Sequence, residues 1–219
     1  MVKCVDLFYA KGNEMKKAKL NREGRKLRVT VYAASSRQSP KSFLAAGRAV
    51  GQGLAERGHI LVYGGATVGV MGALAAGALA AGGRVEGVIL DEFSSVAHPD
   101  LHELETVATM RARKAGLADR GDAFIALPGA LGTLEELSEI LVERQLGFHA
   151  KPIYLLNPDG FWTHLLSFLD RQVEDGILAP ENREIAQVFP DVETLFAALD
   201  AEMPPAAGVG PAPPSPAAR

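Results

Sequence analysis

An arginine and a glutamate near the starts of two predicted helices are the residues in this sequence best suited to chemistry. Arg113 lies in "MRARK" (110–114), and Glu136 ends the stretch "ALPGALGTLEE" (126–136). A carboxylate beside a guanidinium suits the cleavage of a glycosidic bond, because positive charge develops on the sugar in the transition state. The two side chains can meet if the fourth and fifth predicted strands are neighbours, because both helices then begin at one sheet edge. The alternative is that Glu135 and Glu136 are ordinary acidic residues in the first turn of a helix.

Three loops that follow predicted strands have the composition of anion-binding turns. The first, "AASSR", ends in Ser36 and Arg37, the second is the glycine-rich "YGGATVGVMG" (63–72), and the third is "PGALGT" (128–133). Backbone N–H groups and the helix macrodipole make such turns phosphate sites. In any one loop the glycines are explained at least as well by a tight turn, but three loops at one sheet edge favour a nucleotide or sugar-phosphate ligand. The GxGxxG fingerprint is absent after the first strand, which weakens the case for NAD.

These loops belong to a chain in which apolar strands alternate with helical patterns. Strands are predicted at 27–34, 59–65, 84–90, 105–108, 123–129 and 151–157, and helices at 40–58, 69–83, 110–121, 133–147, 161–176 and 191–202. Apolar strands that are each followed by a helix are typical of a parallel sheet covered on both faces. We therefore expect an α/β fold with a Rossmann-like, doubly wound parallel sheet, which binds ligands at the carboxyl ends of its strands.

The composition fits a globular protein with one core and argues against several functions. Of the 219 residues, 47% are hydrophobic and 22% are charged, and the formal net charge is −3. This balance gives no electrostatic reason to expect binding to nucleic acid or to a membrane. The single cysteine, Cys4, offers no disulfide framework. His98 and His102 are separated by Pro99, which disfavours a shared helical face, so we expect no metal site.

The two ends of the chain look peripheral to one folded domain. Residues 1–26 are expected to form an N-terminal arm without a targeting signal, and 203–219 a disordered tail rich in Pro and Ala. The domain proper is expected at 27–202. No apolar run reaches the ~18–20 residues of a membrane helix, so a cytoplasmic protein is expected. The small-residue helix at 69–83 suits close packing, and packing in the core is a simpler explanation for it than contact with a partner chain.

Three motifs together resemble those of a known family. "YGGATVGVMG", "MRARK" and "PGALGTLEE" are similar, in this order, to the glycine turn, the M-x-x-R-K segment and the P-G-G-x-G-T-x-x-E signature of the LOG family. This family contains the cytokinin riboside 5′-monophosphate phosphoribohydrolases, which are often mislabelled lysine decarboxylases. The likeness runs from about Val29 to Leu178. It implies hydrolysis of the N-glycosidic bond of an N6-modified AMP to free base and ribose 5-phosphate, with no cofactor and in a homodimer.

The resemblance also assigns roles to individual residues. Arg113 and Glu136 match the catalytic arginine and glutamate of the family. The residues that match its substrate-binding positions are Ser36, Gly65, Met110, Lys114, Gly129, Gly132 and Thr133. Among these, Thr133 is expected near the phosphate.

Departures from the family pattern keep a second function open. Ala130 replaces the second glycine of the signature, and this costs around 1 kcal/mol if the position requires a positive φ. Arg111 stands where a histidine is common. The alternative is a nucleotide-binding or carrier protein of the same fold that binds without turnover. The retained Arg113 and Glu136 favour the enzyme, and pyridoxal-dependent decarboxylation lacks a recognisable lysine context.

Overall fold

A computed structural model describes residues 26–202, which form one seven-stranded parallel sheet. The strands are β1 Arg28–Tyr32, β2 Ile60–Tyr63, β3 Arg84–Leu90, β4 Glu103–Val107, β5 Ala123–Ala126, β6 Ile153–Leu156 and β7 Ala186–Phe189. Their order is β4-β3-β2-β1-β5-β6-β7. The chain therefore builds one half of the sheet outward from β1 and then returns to the other side of β1 with β5. The carboxyl ends of these two neighbouring strands mark the topological switch point of the fold, where ligands bind in open α/β sheets.

Helices cover both faces of this sheet. They are α1 Lys41–Glu56, α2 Gly69–Ala80, α3 Met110–Arg120, α4 Leu131–Gln145, α5 Thr163–Glu174, α6 Pro180–Arg183 and α7 Val192–Glu202, with 3-10 turns at Asp91–Val96 and Pro158–Gly160. Helices α1, α2 and α7 bury apolar residues in one core cluster, and α3, α4 and α5 pack on a second cluster. The predicted doubly wound α/β fold is thus confirmed.

The small residues of α2 serve close packing within the chain. A Cβ at Gly77 would overlap the carbonyl of Arg48 in α1, and a Cβ at Gly51 would overlap the carbonyl of Leu74 in α2. The backbones of α1 and α2 therefore approach each other as only glycine permits. This explains the composition of α2 without a partner chain.

Two details of the architecture differ from the expectations. The strand β7 and the short helix α6 were not predicted, because β7 has only four residues and most are half-buried, so its pattern is weak. The premise that the fourth and fifth strands are neighbours is wrong, since β3, β2 and β1 lie between β4 and β5. Helix α3 makes this crossover and packs against β3 and β1, which brings its first turn from the sheet edge toward the switch point.

The expected arm at 1–26, except for Lys26, and the expected tail at 203–219 lie outside the described residues, as does Cys4. Within residues 26–202, no helix combines the length and apolar character needed to span a membrane.

Candidate active site

The loops that follow β1, β2 and β5 meet at the switch point. The Ala34 amide donates a hydrogen bond to the carbonyl of Pro128 (3.1 Å), and its carbonyl accepts one from the amide of Met71 (3.1 Å). Gly69 begins α2 at a φ of 65° and lies against the backbone of Ser36. The three predicted anion-binding loops therefore form one continuous surface.

Arg113 and Glu136 form an ion pair on this surface. The distance from Arg113 Nη1 to Glu136 Oε1 is 2.7 Å, and their side chains are only 12% and 4% exposed. Thr109 caps α3, since its Oγ1 accepts a hydrogen bond from the amide of Ala112 (3.2 Å). Glu136 lies on the buried face of α4, together with Leu137.

The environment of Glu136 makes its carboxylate harder to ionise. Burial raises the pKa of Glu136, and the neighbouring charge and hydrogen bond of Arg113 oppose that rise. A buried charged pair interacts more strongly than one in water, because the local dielectric constant is lower. Arg113 and Glu136 therefore attract each other more strongly than an exposed ion pair would.

A glycine makes room for the arginine. A Cβ at Gly64 would overlap Arg113 Nη2 and would lie 3.0 Å from Met71 Sδ. The guanidinium thus rests on the backbone of the glycine turn that follows β2. Gly65 next to it has a φ of 79° and packs against the side chain of Ile89 in β3.

A cavity of about 260 Å³ adjoins the ion pair. Its lining residues are Ser35, Gly64, Ala66, Val68, Met71, Ile89, Leu90, Phe93, Val96, Met110, Arg113 and Glu136. Most of these side chains are apolar, so the cavity has one charged pair in a largely apolar wall. Such a combination suits a flat organic ring with a polar part.

The segment 91–97, here called the strap, holds part of this apolar wall in place. The amide and Oγ1 of Thr67 both donate hydrogen bonds to the carbonyl of Val96, at 3.0 and 3.1 Å. The amide of His98 donates to the carbonyl of Gly65 (2.8 Å). These bonds tie the strap to the glycine turn and present the half-exposed Phe93 to the cavity. No sequence signal marked Phe93 or Val96 as site residues.

The loop 127–130 leads into α4 without a side-chain cap. Ala130 occupies the N-cap position with a φ of −89°, which any residue adopts, so the expected cost of replacing the family's glycine does not arise. A Cβ at Gly129 would overlap Thr133, whereas one at Gly132 would meet no atom within 4 Å. The first turn of a helix has N–H groups without intrahelical partners, and the open space at Gly132 leaves this turn accessible.

The predicted site residues fall into three groups. Arg113, Glu136 and Met110 line the cavity. Five more lie around the cavity without lining it: Ser36, Gly65 and Gly129 in the three loops, and Gly132 and Thr133 in the first turn of α4. Lys114 is outside the lining and pairs instead with Glu135 and Glu139.

The part of the chain that the structure describes contains no group of three or more His, Cys, Asp or Glu side chains arranged to hold a metal ion.

The fold and the site define a class of protein: a doubly wound α/β protein with a buried Arg–Glu pair at its switch point. A family model described as "Possible lysine decarboxylase" matches residues 71–199. The chain belongs to this family, and the resemblance to the LOG family is confirmed.

Relatives with assigned activities are similar over most of the chain. A cytokinin riboside 5′-monophosphate phosphoribohydrolase of Arabidopsis thaliana is 39% identical over 196 residues, which cover 89% of this chain and 88% of the relative. The enzyme of the same name from Rhodococcoides fascians is 41% identical over 194 residues, covering 80% of this chain and 97% of the relative.

Solved structures with the same fold include carrier proteins. The molybdenum cofactor carrier protein of Chlamydomonas reinhardtii has a TM-score of 0.65 at 24% identity, covering 81% of this chain and 98% of that chain. The molybdenum cofactor binding protein of Rippkaea orientalis has a TM-score of 0.63 at 24% identity, covering 81% and 97%. At this identity the likeness establishes the fold alone.

Proposed function

We propose that this protein hydrolyses the N-glycosidic bond of N6-modified adenosine 5′-monophosphates, such as cytokinin riboside 5′-monophosphate. The products are the free base and ribose 5-phosphate. The observation that carries the proposal is the buried pair of Arg113 and Glu136, which faces an apolar cavity beside three glycine- and serine-containing loops. Relatives that carry this activity in their names, at about 40% identity over most of the chain, support it.

The pair suits the charge that develops in this reaction. Water adds to C1′ of the ribose as the C1′–N9 bond breaks, and the proton that water loses goes to the departing base. The sugar passes through a cationic, oxocarbenium-like state, which a carboxylate in a dry site stabilises strongly. Glu136 supplies that carboxylate. Arg113 orients it and has further N–H groups for the phosphate or the departing base.

The surrounding loops suit the remainder of a nucleotide. In this proposal Gly129, Gly132, Thr133 and Ser36 receive the 5′-phosphate, because N–H groups at a helix start and hydroxyls are good phosphate donors. The base lies against the apolar wall that includes Met110, with Gly65 behind it. An apolar substituent at N6 is compatible with the side chains of the strap.

The test is the release of free base by the purified protein. AMP and N6-isopentenyladenosine 5′-monophosphate are incubated with the protein and the products are separated by chromatography. We expect base release from the N6-modified nucleotide, and a loss of at least about 100-fold in Glu136→Gln, which keeps the size of the side chain and removes its charge. Glu193→Gln, the same change at an exposed position of α7, serves as the control and retains activity. Binding of nucleotide without release of base would instead support the carrier function.

We also propose that the protein is a cytoplasmic homodimer. Its ligand is a nucleotide and not a nucleic acid. A net charge of −3 provides no basic excess for a polyanion, and a single cysteine fits a reducing compartment. No residue of α5 is fully buried within the chain, which supports contact of this helix with a second copy.

A further inference from the structure

A second set of ion pairs joins α3 and α4 next to the Arg113–Glu136 pair. The Nζ of Lys114 lies 2.9 Å from Glu135 Oε1 and 3.3 Å from Glu139 Oε1. Lys114 follows Arg113 in α3, and Glu135 precedes Glu136 in α4. The two bridges between the helices are therefore adjacent along both of them.

The position of Lys114 explains why it needs two carboxylates. Its side chain is 17% exposed, and it lies between the more exposed side chains of Glu135 and Glu139. It also lies in the first half of α3, where a cation is opposed by the helix macrodipole. Glu135 and Glu139 are four residues apart and thus share a face of α4. Held by both, Lys114 fixes the rotation of α4 as well as its distance from α3.

We infer that Lys114, Glu135 and Glu139 form a clasp that holds Arg113 against Glu136. In this arrangement Lys114 is a positioning residue and does not contact the nucleotide. The inference rests on the proposed function, and it replaces the role at the nucleotide that the family resemblance implied for Lys114.

The clasp also contributes to the electrostatic environment of Glu136. Arg113 and Lys114 face Glu136 from α3, Glu135 faces it from its own helix, and Tyr32 faces it from β1. Burial is the main cause of the raised pKa of Glu136; among the clasp residues, Glu135 adds to the rise and Lys114 opposes it. Removing the charge of Lys114 therefore raises the pKa of Glu136, and removing the charge of Glu135 lowers it.

The experiment compares Lys114→Met, Lys114→Arg and Glu135→Gln by kcat, KM and the pH dependence of kcat/KM. We expect kcat of Lys114→Met to fall about 10- to 100-fold, because a misplacement of about 1 Å has that effect. Its KM stays within about 3-fold. Because ionised Glu136 is required, activity is lost as pH falls through its pKa, so this acidic limb moves to higher pH in Lys114→Met and to lower pH in Glu135→Gln. Lys114→Arg restores most of kcat.

Direct binding of the nucleotide by Lys114 gives a different result. In that case Lys114→Met weakens nucleotide binding at least about 10-fold, with KM rising, and the clasp is refuted. Calorimetric titration of AMP into wild type and Lys114→Met separates this from a failure of the proposed function. If wild type shows no turnover, equal dissociation constants for wild type and Lys114→Met still support the clasp, and a higher dissociation constant for Lys114→Met refutes it. If Lys114→Met does not fold, Glu135→Gln decides by its kcat: a lower kcat at an unchanged KM supports the clasp, and an unchanged kcat refutes it.

Discussion

At the scale of single residues, Gly64 determines whether Arg113 reaches Glu136. A methyl group at position 64 would overlap Arg113 Nη2, and the guanidinium, as the end of a flexible side chain, would move aside. We expect Gly64→Ala to lower kcat/KM about 100-fold with little change in the free energy of unfolding. Steady-state kinetics and urea denaturation measure the two effects. The matched control is Gly116→Ala in α3, whose new Cβ would have atoms of Val88 and Glu105, and not of the ion pair, as its nearest neighbours, at 3.3 Å and beyond.

A Gly64→Ala variant with full activity would contradict this account, since Arg113 would then not depend on the glycine for its position. The same contact shows the limit of sequence reasoning about the site. The types and motif positions of Arg113 and Glu136 predicted the pair. The roles of Gly64, Met71 and Phe93 come from approaches between distant segments, which no local pattern contains.

At the scale of elements, the apolar run that starts at Ile60 predicts the strand β2, but it does not show that a polar side chain is buried beside this strand. His59 immediately precedes β2 and is fully buried; its Nδ1 accepts a hydrogen bond from the amide of Leu27 (3.5 Å). Within residues 26–202 its Nε2 has no hydrogen-bond partner. Burial lowers the pKa of His59 to about 4. The imidazole is thus neutral in the folded protein, and protonation favours the unfolded chain.

This predicts an acid-sensitive contribution to stability. The pKa of His59 is about 4 when folded and 6.5 when unfolded, so its contribution is complete above pH 6.5 and is lost as pH falls toward 4. The loss is about 2–3 kcal/mol between pH 7.5 and 4.5. Urea denaturation at both pH values measures it, and a His59→Leu variant should lose less stability than wild type over this interval. Equal losses in the two proteins would show that other groups dominate.

Element types and their sequence were also largely predictable, whereas connections between them were not. Strands such as β5, which is buried throughout, stand out from their composition alone. The short β7 does not, because its residues are half-buried. The passage of α3 across three strands depends on the packing of the whole sheet, so the strand order could not be read from the residues. This passage, and not the adjacency of β4 and β5, brings Arg113 to Glu136.

At the scale of the whole molecule, α4 and α5 leave an apolar surface on one face of the sheet. Its exposed apolar residues are Val142 in α4, with Leu146 and Phe148 after this helix, and Phe168 in α5, with Ile177 after that one. Phe168 is 58% exposed and Ile177 77%, and large exposed apolar side chains of this kind are expected at an interaction site.

We therefore expect the protein to have a dimer mass and the variant Phe168→Asp to have the monomer mass of 23.2 kDa. A carboxylate at the centre of an apolar interface loses its hydration without gaining a partner, which is costly. Size-exclusion chromatography with light scattering measures both masses. Gln52→Asp is the control, because α1 packs on the opposite face of the sheet and Gln52 is exposed there. A wild-type monomer, or a Phe168→Asp dimer, would place the surface of α4 and α5 outside any contact between copies.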